Sequence, residues 1–199
     1  MAFTPIALIF PCMRNFYGIT VVLLALLISG GVVTARADQN DQRLDTLFGR
    51  LQQTNNLGEV AVITRDIWGI WTEIDDQDAY QEMLQGIDAM AEHDFKAALV
   101  FFDGVIRKYP AFAEGWNKRA TVYYLMGRLD ESLNDVEATL DLEPRHFGAL
   151  SGKGLILMAR GDYILAIKAF EHALETNPHM PDVHIRIKVL KEEMEKNAI

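Results

Sequence analysis

The chain has 199 residues, 50% of them hydrophobic and 24% charged, which describes a globular domain rather than a disordered chain. A single cysteine excludes a disulfide framework and a cysteine-built zinc site, and 14 glycines with 6 prolines exclude a low-complexity chain. The net charge of -9 argues against a nucleic-acid partner, which needs a basic face.

Residues 16–33 form an uncharged apolar run, preceded by Arg14 and followed by Thr34, Ala35, Arg36 and Ala37. A basic flank, an apolar centre and a small-x-small ending read as a secretory signal peptide, residues 1–37, cut after Ala37. Met1 to Cys12 carries no charge and includes Pro5 and Pro11; a start at Met13 gives a leader of ordinary length without Cys12. The alternative is a retained anchor, since about 18–20 apolar residues can span a bilayer. Cleavage predicts a periplasmic or secreted protein; retention predicts an inner-membrane anchored one, the case in which a membrane is a partner. Loss of Arg14 and Arg36 leaves a body of charge about -11, which repels nucleic acid and anionic membrane alike.

Two apolar helical faces come next. Leu44, Leu47, Phe48 and Leu51 make one; Val60, Ile63, Ile67, Ile70, Trp71 and Ile74 make the other, with Thr54, Asn55 and Asn56 breaking between them. Residues 38–78 are expected to form a hairpin that caps a helical stack.

A 34-residue spacing governs the remainder of the chain. Pro110, Pro144 and Pro178 lie on it, as do the small residues Gly86, Ala120 and Gly154. Phe95, Leu129 and Tyr163 align, then Ala98, Ser132 and Ala166, then Phe102, Val136 and Phe170, then Ile106, Leu140 and Leu174; Gly127 and Gly161 share another site. A repeat of this length predicts stacked helix pairs, each unable to bury its apolar side alone. The proline ends the second helix of a pair, and the glycine permits the turn between helices. Asp130 and Asp162 stand in or beside those turns, where a carboxylate can cap free amides.

With Trp116, Ala120, Tyr123, Val136 and Pro144 in one unit, and Leu150, Gly154, Leu157, Ala166, Phe170 and Pro178 in the next, the sequence resembles the tetratricopeptide repeat (TPR) family. Departures are Ser132 in place of alanine, and Gln85, Arg119 and Lys153 in place of leucine. The resemblance implies an all-α solenoid of antiparallel helix pairs with a right-handed superhelix. Its units are residues 79–112, 113–146 and 147–180, and 181–199 follow as an amphipathic capping helix with Pro181 in its first turn.

Signals of chemistry are sparse. His179, Asp182 and His184 are close in sequence but lack a zinc spacing, and the 34-residue register puts His184 inside a helix pair. Ser151, Gly152, Lys153 and Gly154 are too few for a phosphate loop and follow no strand. Ser132 is explained by its small-residue site, and the carboxylate pairs by solvated faces and caps. The expectation is no enzyme, no metal and no cofactor. Lys118, Arg119 and Arg128 form a basic spot that Glu114 and Asp130 are expected to neutralise, and the spacing of Trp68 and Trp71 places them in a core.

The resemblance also implies that the first helix of each unit lines a concave face. The family's carboxylate clamp uses Lys, Asn and Arg at fifth and ninth positions; here these are Met83 and Ile87, Asn117 and Thr121, Ser151 and Leu155, so only Asn117 fits. What remains is a methionine-rich apolar groove, adaptable in what it can accept. Met83, Ile87, Met90, Asn117, Thr121, Tyr124, Leu155 and Met158 are the candidate partner-binding residues, for a helix or apolar peptide of another protein. The competing expectation is that the leading hairpin, or a tight superhelix, fills this groove from within the chain.

Overall fold

The structure, a computed structural model, describes residues 41–197. The signal segment, the Met13 start and the Ala37 cleavage site lie outside the described residues. Nine α-helices follow one another, with no strand among the described residues: α1 (Gln42–Gln53), α2 (Leu57–Trp71), α3 (Gln77–Ala91), α4 (Phe95–Lys108), α5 (Ala113–Leu125), α6 (Leu129–Leu142), α7 (Phe147–Ala159), α8 (Tyr163–Thr176) and α9 (Pro181–Asn197). None of the described helices is long and apolar enough to cross a membrane.

Local chemistry sets the helix starts. Asn56 accepts from the Gly58 and Glu59 amides, Asp76 from Ala79 and Asp94 from Ala97, each satisfying donors that a first turn leaves free. Asp162 holds the corresponding position before α8 but makes no side-chain cap bond. Asp130 lies in the first turn of α6 and pairs with Arg160 instead. Gly127 and Gly161 take the left-handed conformation at φ 72° and 83°. The third member of that series is His93, at φ 63°, a conformation that costs a side chain energy and glycine none.

Helices α3 to α8 pack as three antiparallel pairs, with α4 on α5, α6 on α7 and α8 on α9 joining them in a row. Within each pair a small residue meets a large one. A Cβ on Gly86 would sit 2.5 Å from the Phe102 ring, and one on Gly154 would press equally into Phe170. In the middle pair Ala120 faces Val136 instead, so an added methyl is matched by a smaller partner. Two of the three residues standing where the family has leucine join neighbouring units. Arg119 Nη1 meets Asp103 at 2.6 Å, and one period later Lys153 Nζ meets Glu137 at 2.7 Å.

The leading hairpin is not where the end-cap expectation puts it. Helices α1 and α2 pair with each other, and α2 makes no extensive backbone contact with α3. Their core of Leu44, Phe48, Leu51, Ile63, Ile67, Ile70 and Trp71 closes on Phe147 at the start of α7. The outward face of α3, with Tyr80 and Leu84 beside Gln85, is left exposed, while Glu82 turns to its own partner helix, against Gly104 and bonded to Lys108. His184 also departs from expectation. It is exposed, with Nε2 3.1 Å from the Pro178 carbonyl, and among the described residues no further helix pairs with α9 to bury it.

Candidate functional site

The hairpin reaches the solenoid through aromatic and charged side chains. The Trp71 ring stacks on His146 at 4.2 Å, and its Nε1 donates to Glu143 Oε2 at 3.4 Å. Trp68 stands edge-on to His146 and Phe147 at 5.3 and 5.5 Å. Arg145 bonds to Asp45, Gln52 to the Glu175 carbonyl, and His179 Nε2 lies 3.0 Å from the Leu51 carbonyl.

Beneath this contact sits a fully buried carboxylate, Glu114 in the first turn of α5. His146 Nε2 is 3.0 Å from its Oε2, and Asn117 Nδ2 donates to the same oxygen at 2.8 Å. Lys118 Nζ faces Oε1 at 2.9 Å as an ion pair. The Ala149 amide donates to His146 Nδ1, which leaves Nε2 to carry the proton aimed at Glu114. Burial pushes the Glu114 carboxyl up, but the His146 hydrogen bond and the Lys118 charge more than reverse it, and it lies below the ordinary range. One network thus ties α5, the α7 cap and, through the stacked Trp71, the hairpin.

Next to it a cavity of about 440 Å³ opens between α2, α5, α7 and the start of α9. Its wall from the hairpin is Thr64 and Trp68; from α5 come Asn117, Thr121 and Tyr124, and from α7 Phe147, Gly148, Ser151 and Leu155. His179, Met180 and Asp182 close the far side. Gly148 is needed there, since a Cβ would lie 2.8 Å from the Trp68 ring. Ser151, His179 and Asp182 share the lining, but no hydrogen bond among the described residues links them. The stretch from Ser151 to Gly154 lies in the middle of α7.

A tetratricopeptide-repeat family model matches residues 117–181. A TPR repeat-containing protein of Rhizobium etli is 35% identical over 156 residues, 78% of this chain and 76% of that protein. The chain belongs to the tetratricopeptide repeat family. Among solved structures, the Sgt2 TPR domain of Aspergillus fumigatus aligns at a TM-score of 0.59 and 21% identity, covering 62% of this chain and 83% of that one. The first TPR of Spaghetti, bound to an HSP90 peptide, aligns at 0.58 and 17% identity, covering 61% and 96%.

Of the eight positions that the TPR register turns inward, Asn117, Thr121, Tyr124 and Leu155 line the cavity. The other four do not join them in one groove. Met83 is buried among Ile74, Phe102 and Phe112, and Ile87 and Met90 pack against that same core. Met158 lies in a separate hollow beside Ile185 and Arg186 of α9. The continuous methionine groove is therefore interrupted. The hairpin covers its middle, and folding of α3 against α5 consumes its first part. Trp71 is core, whereas Trp68 is also pocket wall. The basic spot is neutralised by Glu114 for Lys118, as expected, but by Asp103 and Asp135 for Arg119 and by Glu131 for Arg128, not by Asp130. Thr64, His179 and Asp182 are wall residues that the sequence pattern does not reveal. Each comes from outside the first helices, and no periodic signal could bring it there.

Proposed function

We propose that this TPR chain is a non-catalytic protein-interaction module that receives an apolar side chain of a partner peptide in the cavity between α2, α5, α7 and α9. The observation that carries the reading is the cavity itself. It is of the size ligand sites have, mostly apolar, rimmed by Thr121 and Ser151 hydroxyls, and set on the helices that line the concave face in this family. The HSP90 peptide on the first TPR of Spaghetti supports a peptide as the ligand class. The clamp chemistry for a carboxylate is reduced to Asn117, whose amide is spent on Glu114.

We further propose that the module acts as an adaptor, scaffold or assembly factor of a bacterial cell envelope, exported by cleavage after Ala37. An N-terminal sequence beginning at Asp38 supports this, and an intact leader on protein from the host contradicts it. For the binding reading, a photo-cross-linking residue is placed at Tyr124 or at exposed Val100, and the protein is irradiated in its host. A discrete adduct at Tyr124 that is absent at Val100 and lost with Ser151→Phe is the expected result. Equal labelling at both positions contradicts the site.

A further inference from the structure

The charges around the cavity are unbalanced. Among the described residues no lysine or arginine lines it, and the one charged lining side chain is Asp182, exposed on the first turn of α9 and in no ion pair. Of the nearest cations, Lys118 is engaged by Glu114 and by the Trp68 face at 5.7 Å, and Arg186, one turn after Asp182 on α9, lines the adjoining hollow and not this cavity. The whole chain carries -9, so the long-range field adds to the local one. A carboxylate entering here would lose water and find no counter-charge. A cation at the mouth would find Asp182.

We infer that the pocket takes an internal segment that carries a lysine or arginine close to a large apolar side chain, in preference to a C-terminal carboxylate. The apolar side chain fills the space between Trp68, Tyr124 and Leu155, and the cation pairs with Asp182 at the rim. This rests on the reading of the cavity as a peptide site and adds the chemistry of what it selects. An exposed ion pair is a modest contact, so its expected contribution is discrimination more than affinity.

The test uses the full chain and three blocked peptides of eight residues. Each has a central leucine; one carries lysine three positions later, one carries glutamate there, and one ends in a free carboxylate at that place. Binding is read by tryptophan emission, to which Trp68 contributes, and by calorimetry. The lysine peptide is expected to bind about tenfold more tightly than either acidic peptide, the gap closing at high salt. Asp182→Asn, at an exposed position, is expected to narrow the gap severalfold while leucine-dependent binding persists. Equal or tighter binding of the acidic peptides, or a gap unchanged in Asp182→Asn, overturns the inference and leaves the pocket standing. Absence of binding by all three, with the Tyr124 cross-link unchanged by Ser151→Phe, overturns the peptide-site reading and the inference together.

Discussion

From Gln77 to Thr176 the contacts between helices recur at one period. Gly86 lies under Phe102 and Gly154 under Phe170, and Arg119 pairs with Asp103 as Lys153 does with Glu137. From Gln42 to Trp71 nothing recurs. That hairpin is seated by Trp71 on His146, by Phe147 in its core and by Asp45 on Arg145. The solenoid is thus held by many equivalent small contacts, the hairpin by a few singular ones. Loss of one solenoid contact is shared along the row, whereas loss of a hairpin contact has no substitute.

The contrast is sharpest at Glu114, which belongs to α5 but supports the hairpin through His146. Glu114→Ala leaves Lys118 and His146 facing an empty buried site and is expected to cost about 3–5 kcal/mol in urea unfolding. The same group sets an acid dependence. Its folded carboxyl lies below the ordinary value of 4.5, so the unfolded chain takes up the proton first as pH falls. Its stabilisation is complete above that value and is lost as pH drops through the folded one. A plot of stability against pH is expected to have a shallower acid limb in Glu114→Gln; an unchanged limb would show that the carboxylate is not paired as described.

Trp71→Ala comes second, at about 3–5 kcal/mol for an aromatic removed from a core. Hydrogen exchange is expected to lose protection in α1 and α2 while α5 to α8 keep theirs. Uniform loss would mean that the hairpin and solenoid are one cooperative unit. Gly154→Ala probes the other side of the comparison. A methyl against the Phe170 ring is expected to cost about 1–3 kcal/mol, relieved by the added change Phe170→Val, which copies the Ala120 and Val136 pair. His93→Gly is the smallest change and goes the other way. It gives the first unit the glycine of the other two and is expected to add about 0.5–1 kcal/mol.

Legibility in the sequence divides along the same line. Pro110, Pro144 and Pro178 announce the helix pairs, because stacking imposes its period on the chain. The inward positions of units two and three, Asn117, Thr121, Tyr124 and Leu155, are likewise legible and do line the cavity. The seat of the hairpin is not. Its apolar faces show that α1 and α2 form, but not that Trp71 meets a histidine 75 positions later. Glu114 and His146 are 32 apart, off the repeat, and each alone reads as an ordinary helix-end residue. Met83, Ile87 and Met90 occupy the right register but the wrong unit. Without a hairpin stacked before it, α3 turns them into its core with α4 and α5.

The central claim is that the hairpin lies across the first helices of units two and three and walls the pocket. It is tested most directly by nuclear Overhauser contacts from the Trp71 indole in the full chain. The account predicts strong contacts to the His146 and Phe147 rings, whose centroids lie 4.2 and 5.0 Å away. Contacts to Tyr80, Leu84 or Gln85 of α3 in their place would mean that the hairpin stacks at the end of the solenoid, and would contradict it.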